Sequence, residues 1–164
     1  MKKTLLALLV GMLALTGKAQ HSYLSAPGVA VFYPANYDAS AHAPSPIFEQ
    51  ELYPIGEVPA DWKIRPVYSQ TAKEQVVTLH VGEDVDLYGG GEVWGSLRRN
   101  GKTIEFWNMD NPYYSVDNGT HLYQSHPWIT GLRPDGSPFG IIADNTWRGK
   151  MTSDKHVVFT SLGP

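Results

Sequence analysis

Beyond its first nineteen residues, this chain is punctuated so closely by glycine and proline that no long helical pattern runs through it. There are 16 Gly and 12 Pro among 164 residues. Proline lacks the backbone N–H that a helix or ladder needs, and both residues favour turns. Short strands joined by turns are what such punctuation permits, so the fold class is read as all-β. Gln75 to Val81 sets Val77, Leu79 and Val81 against Thr78 and His80, the alternation of a half-buried strand. Val85 to Tyr88 is the next strand, and Gly89-Gly90-Gly91 after it reads as a bend needing positive φ. Asn100-Gly101 reads as a tight turn between Ser96 to Arg99 and Thr103 to Trp107. Trp128 to Arg133 and Phe139 to Ala143 form a β-hairpin across Pro134-Asp135-Gly136, and Val157 to Phe159 is a last short strand. Earlier, Val29 to Tyr33 is strand-like, while Pro46 to Tyr53 and Trp62 to Tyr68 are edge strands or loops broken by proline.

The first nineteen residues have the form of a secretory signal. Lys2 and Lys3 precede an apolar run, Leu5 to Leu15, that is too short to span a bilayer. Gly17-Lys18-Ala19 offers small residues where a signal peptidase reads, so cleavage is expected after Ala19. The expected organisation is residues 1–19 as signal peptide, 20–66 as a Pro-rich extended lead-in and 67–164 as the folded domain. No membrane span is expected after cleavage, and the mature protein is expected to be secreted or periplasmic. With no Cys there is no disulfide scaffold, which fits a bacterial exported protein. Cleavage removes Lys2, Lys3 and Lys18 and leaves ten basic against sixteen acidic residues, a formal charge of −6. That balance argues against a nucleic-acid partner, since no basic patch is available to release counterions.

Most of the Trp and Tyr fall between Leu87 and Lys150, interleaved with Gly, Asn and Asp. Aromatic faces with a few fixed amides and carboxylates suit a sugar, because rings cover its C–H faces while polar groups orient its hydroxyls. The same residue types would also build a sandwich core with Gly-rich turns. Asp110 lies just after the Thr103 to Trp107 strand, on an expected loop, where it would bind a ligand or cap the turn before Pro112. Asn111 is a second ligand candidate that reads equally well as a turn former. Tyr113, with Tyr114, is a candidate stacking platform or a packing residue, and Trp107, ending a strand, is expected in the core. The six histidines have no metal-ligand spacing. Gly-x-Ser-x-Gly and a phosphate-binding Gly-Lys-Ser/Thr ending are both missing, so neither a hydrolase elbow nor a nucleotide loop is expected. No catalytic residue, metal or cofactor is assigned.

Four pieces stand in a particular order: Tyr88-Gly89-Gly90-Gly91-Glu92, Trp107-Asn108-Met109-Asp110, Leu122-Tyr123-Gln124-Ser125-His126-Pro127-Trp128, and Phe139-Gly140-Ile141-Ile142-Ala143-Asp144-Asn145-Thr146. In that order they resemble the N-terminal domain of glycoside hydrolase family 31, the α-glucosidase and α-xylosidase family. The resemblance implies a galactose-mutarotase-like β-sandwich. It implies that Asp110 contacts an α-linked oligosaccharide on a loop reaching a neighbouring active site, where Asn111 and Tyr113, from their place on the same loop, are the further substrate-binding candidates. It also implies that the parent enzyme hydrolyses α-glycosides with retention. Its nucleophile and acid/base would lie in a (β/α)8 barrel of the same full-length chain, typically ~250 residues. The 67–164 sandwich is then expected to be incomplete and inactive alone. A different class of reading is a stand-alone secreted carbohydrate-binding or adhesion β-sandwich without catalysis.

Overall fold

A computed structural model of the chain describes residues 21–38, 40, 53–114 and 122–163. The expected signal peptide, most of the Pro46 to Tyr53 segment and the Asn118-Gly119 turn lie outside the described residues. Ten strands make up three antiparallel sheets, with no α-helix among the described residues. Strands β1 (His21–Ala26) and β2 (Val29–Tyr33) form a hairpin. The five-stranded sheet contains β3 (Pro66–Gln70), β4 (Gln75–His80), β6 (Lys102–Phe106), β9 (Gly149–Ser153) and β10 (His156–Ser161) in the order β3-β4-β10-β9-β6. The three-stranded sheet contains β5 (Asp86–Gly91), β7 (Ser125–Leu132) and β8 (Pro138–Ile142) in the order β5-β7-β8.

The period-2 pattern selects one face of each sheet for the core. In the large sheet the register aligns Tyr68, Val77, Phe159, Met151 and Ile104 in one row. The neighbouring inward row is Pro66, Leu79, Val157, Ser153 and Lys102. Leu87 and Ile129 from the small sheet pack against these rows, and Leu87, Ile129, Met151 and Val157 are fully enclosed. The two sheets thus make the β-sandwich that the sequence pattern called for. The hairpin is attached at the far edge, where the Tyr68 hydroxyl donates to the Phe32 carbonyl at 3.0 Å. Burial pushes the Tyr68 hydroxyl above the usual tyrosine range.

Several local expectations need correction. The three glycines do not end the strand: β5 runs through Gly91, with a register shift between Gly89 and Gly91 against β7. All three have positive φ, at 113°, 83° and 91°. A side chain at Gly91 would overlap the Gln124 carbonyl of the adjoining chain, so this bulge requires glycine by close approach as well as by φ. Ser96 to Arg99 is not a strand, although Asn100-Gly101 is a turn. The Asn100 side chain does a partner strand's work there, accepting from Leu87 N at 2.9 Å and donating to the Val85 carbonyl at 2.7 Å. Strand β9 carries no strand signal in its Gly-Lys-Met-Thr-Ser sequence; it is held by ladders to β10 and β6 on either side. Strand β1 also went unmarked, though its partner β2 falls where expected.

Candidate functional site

The ordered motifs meet at one corner of the sandwich. Gly91 pairs with Ser125, and Glu92 N donates to the Gln124 carbonyl at 2.8 Å, which joins the first motif to the third. Met109 N donates to the Leu122 carbonyl, and Ser125 N donates to Asn108 Oδ1, both at 2.8 Å, which joins the second motif to the third. The fourth is joined to the third as well: Ala143 N donates to the Pro127 carbonyl at 2.9 Å. The loop after β6 is therefore tied down at two successive residues, Asn108 and Met109, before it reaches Asp110. Backbone groups that would otherwise go unpaired at a sheet end are satisfied here by an asparagine side chain.

A buried cation supports the same corner from behind. Arg99 is 5% exposed; its Nε donates to the Gly89 carbonyl at 2.9 Å and its Nη1 to the Ser96 carbonyl at 2.7 Å. Desolvation pulls its pKa below the usual arginine value, and two neutral carbonyls turned toward the guanidinium offset part of that cost. Through Gly89, Arg99 fixes the carbonyl end of the glycine bulge on which the motif corner rests.

The three predicted site residues are consecutive or nearly so, yet they divide by environment. Asp110 is exposed. Tyr113 is 95% exposed and has a positive φ of 63°, uncommon for a bulky residue. Asn111, between them, is 1% exposed, so its amide shapes the loop from within and is not presented to solvent. The side chain of Tyr114 lies outside the described residues. Trp107 departs from its expected core position. It is 49% exposed and the Arg148 guanidinium lies 5.3 Å from its ring centroid. Arg148 is itself held by Glu105, its Nε donating to Oε1 at 2.8 Å. The reason is register: Phe106 is the last residue of β6 to pair, opposite Gly149, and Trp107 is already past the ladder. Sequence reasoning missed Arg148 and Arg99; only the topology brings them to residues 41 and 10 positions away.

Two shallow clefts, about 340 and 390 Å³, lie on the outer face of the large sheet. The first is lined in part by Glu74, Glu105, Arg148 and Lys150, and neither is lined by Asp110. Asp110 and Tyr113 thus project from a braced corner and do not line either cleft. A carboxylate held in this way can accept from two neighbouring hydroxyls, and an exposed ring beside it can cover an apolar face.

Fold and corner together define a β-sandwich domain with a braced, aromatic-edged loop. Comparison with known proteins specifies it further. The glycosyl hydrolase 31 N-terminal galactose mutarotase-like domain matches residues 41–151, well over half of the chain, and the chain belongs to that family. It is 37% identical over 81 residues to alpha-glucosidase 2 of Bacillus thermoamyloliquefaciens, covering 48% of this chain and 10% of that protein. It is also similar to the crystal structure of the family 31 alpha-glucosidase from Bacteroides thetaiotaomicron, with 48% identity and a TM-score of 0.52. That match covers 58% of this chain and 16% of the other. The chain therefore spans only a small part of the relatives it matches.

Proposed function

We propose that this domain is the N-terminal part of a secreted, retaining α-glycosidase of the α-glucosidase type. Its corner loop would contribute Asp110 and Tyr113 to the binding of an α-linked oligosaccharide. A catalytic (β/α)8 barrel of the same full-length chain would supply the nucleophile and acid/base. The observation that carries this reading is the convergence of all four family motifs on the corner that presents Asp110. Ordered motifs that served only packing would have no reason to brace one exposed carboxylate. In the proposal Asn111 supports the loop from inside, and Asp110 accepts hydroxyl hydrogen bonds from the sugar next to the scissile bond. Export would follow from residues 1–19, and the secreted protein would begin at Gln20.

The test is Asp110→Ala in the full-length enzyme. Loss of one or two charge-assisted hydrogen bonds, worth ~1.5–3 kcal/mol each, should lower kcat/KM for an α-glucoside by about 10-fold to 10,000-fold. The melting temperature should stay at the wild-type value. Wild-type kinetics with a lowered melting temperature would assign Asp110 to turn capping instead. Glycan titration of the isolated 164-residue chain separates this reading from a stand-alone binding module. A half-pocket lacks most of its polar partners and should bind weakly, whereas micromolar binding by the domain alone would favour the module.

A further inference from the structure

At the end of the large sheet away from the motif corner, two histidines face one another across strands. His80 closes β4 and His156 opens β10, and the register places them directly opposite. Their inward neighbours Leu79 and Val157 are core residues, so both imidazoles stand on the outer face, and both are exposed. The Nδ1 of His80 and the Nε2 of His156 are 3.1 Å apart, with ring centroids at 4.8 Å and planes inclined by 51°.

That separation has a chemical meaning beyond a hydrogen bond. Two imidazole nitrogens bound to one zinc-type ion lie ~2.0–2.1 Å from it, so they stand ~2.9 Å apart at a right angle and ~3.3 Å apart at the tetrahedral angle. The 3.1 Å seen here falls between these limits. The sheet also fixes the two Cβ atoms opposite one another, so the backbone need not rearrange for both rings to reach one ion. We propose that His80 and His156 form a two-histidine site for a divalent transition-metal ion of the zinc class, its remaining positions filled by water.

The surroundings favour a cation. The turn before β5 carries Glu83 and Asp84, and the turn before β10 carries Asp154 and Lys155. Lys155 Nζ binds Glu83 Oε2 at 3.0 Å, linking the two turns. The turns flanking the histidine pair thus carry three carboxylates and one ammonium. On its open side the His156 ring borders the second outer-face cleft, with Thr103, Thr152 and Val158, where water ligands can be accommodated. Neutral imidazole is a good ligand for ions of this class.

Zinc chloride titrated into the purified protein at neutral pH, followed by calorimetry, tests the site. The expected result is a component of one Zn²⁺ per chain that weakens by about tenfold or more in His80→Gln and equally in His156→Gln. His21→Gln, at the expected mature N-terminus, should leave that component unchanged. A second measurement needs no variant. Diethyl pyrocarbonate labelling read by mass spectrometry should show Zn²⁺ protecting His80 and His156 together, with the remaining histidines reacting as before. Absence of saturable binding, binding indifferent to both substitutions, or protection elsewhere would each overturn the assignment.

Discussion

Gly90 sits in the bulge at a φ of 83°, and a methyl group placed there would overlap Cδ1 of Ile104. The other two Ile104 carbons stand at ordinary contact distances of 3.5 and 3.6 Å. This geometry allows two costs to be separated by experiment. Gly90→Ala places a side chain at positive φ, costing ~1–2 kcal/mol. It also overpacks a core in which Ile104 is 1% exposed, costing a further ~1–3 kcal/mol. Ile104→Val alone removes Cδ1 and should cost ~0.5–1.5 kcal/mol. In the double variant the added methyl occupies the space that Cδ1 vacates, leaving mainly the φ cost of ~1–2 kcal/mol. The double variant should therefore be more stable than Gly90→Ala alone. The coupling energy should be ~1.5–4.5 kcal/mol in favour of the pair, since the φ cost cancels in the cycle while the overpacking and the cavity are both relieved. Urea unfolding followed by tryptophan fluorescence measures all four corners. Strict additivity, with the double variant as unstable as the two single changes summed, would refute the packing of β5 on β6 at this point.

The Tyr68 and Tyr33 hydroxyls are both held above their usual range, each chiefly by burial. A raised folded-state pKa gives stability that is complete below the unfolded value of about 10 and is lost as pH climbs past it. Stability should thus fall above pH ~10, and Tyr68→Phe should flatten that fall while costing ~1 kcal/mol at neutral pH for the lost bond to Phe32. An unchanged alkaline slope in Tyr68→Phe would remove Tyr68 from that account. Asn108→Ala takes away the acceptor for Ser125 N and should cost ~1 kcal/mol. It should also make the chain near Asp110 cut faster in limited proteolysis, and a cleavage pattern identical to wild type would show that Asn108 does not brace the loop.

How far the sequence could be read depended on whether local residues determined the outcome. Strands β4, β7, β8 and β10 carried their own alternation or turn chemistry, and they form where that chemistry points. Strand β9 did not, because only Met151 and Ser153 are buried and its hydrogen bonds come from strands on either side. At the candidate site Asp110 is singled out by the order of motifs and Tyr113 by its place after Pro112, and the structure presents both at the surface. The enclosure of Asn111 could not be read from residue type, since asparagine suits turns, ligands and buried hydrogen bonding alike. The exposure of Trp107 was hidden for a related reason: a residue one step beyond a ladder escapes the alternation that governs the step before it.

The strand order of the large sheet bears on how the domain can be made. Strand β10 lies between β4 and β9, near the middle of the sheet, although it is the last of the ten strands among the described residues. His80 meets His156 only after 76 further residues have been added, which takes ~4–15 s at ribosomal speeds of ~5–20 residues/s. Until then β3 and β4 are a hairpin with one apolar side uncovered, and β6 and β9 are another fragment without its neighbour. The large sheet therefore joins in one step, when β10 slots between two waiting halves. Until β10 emerges, the uncovered sides of β3–β4 and β6–β9 stay available to chaperones.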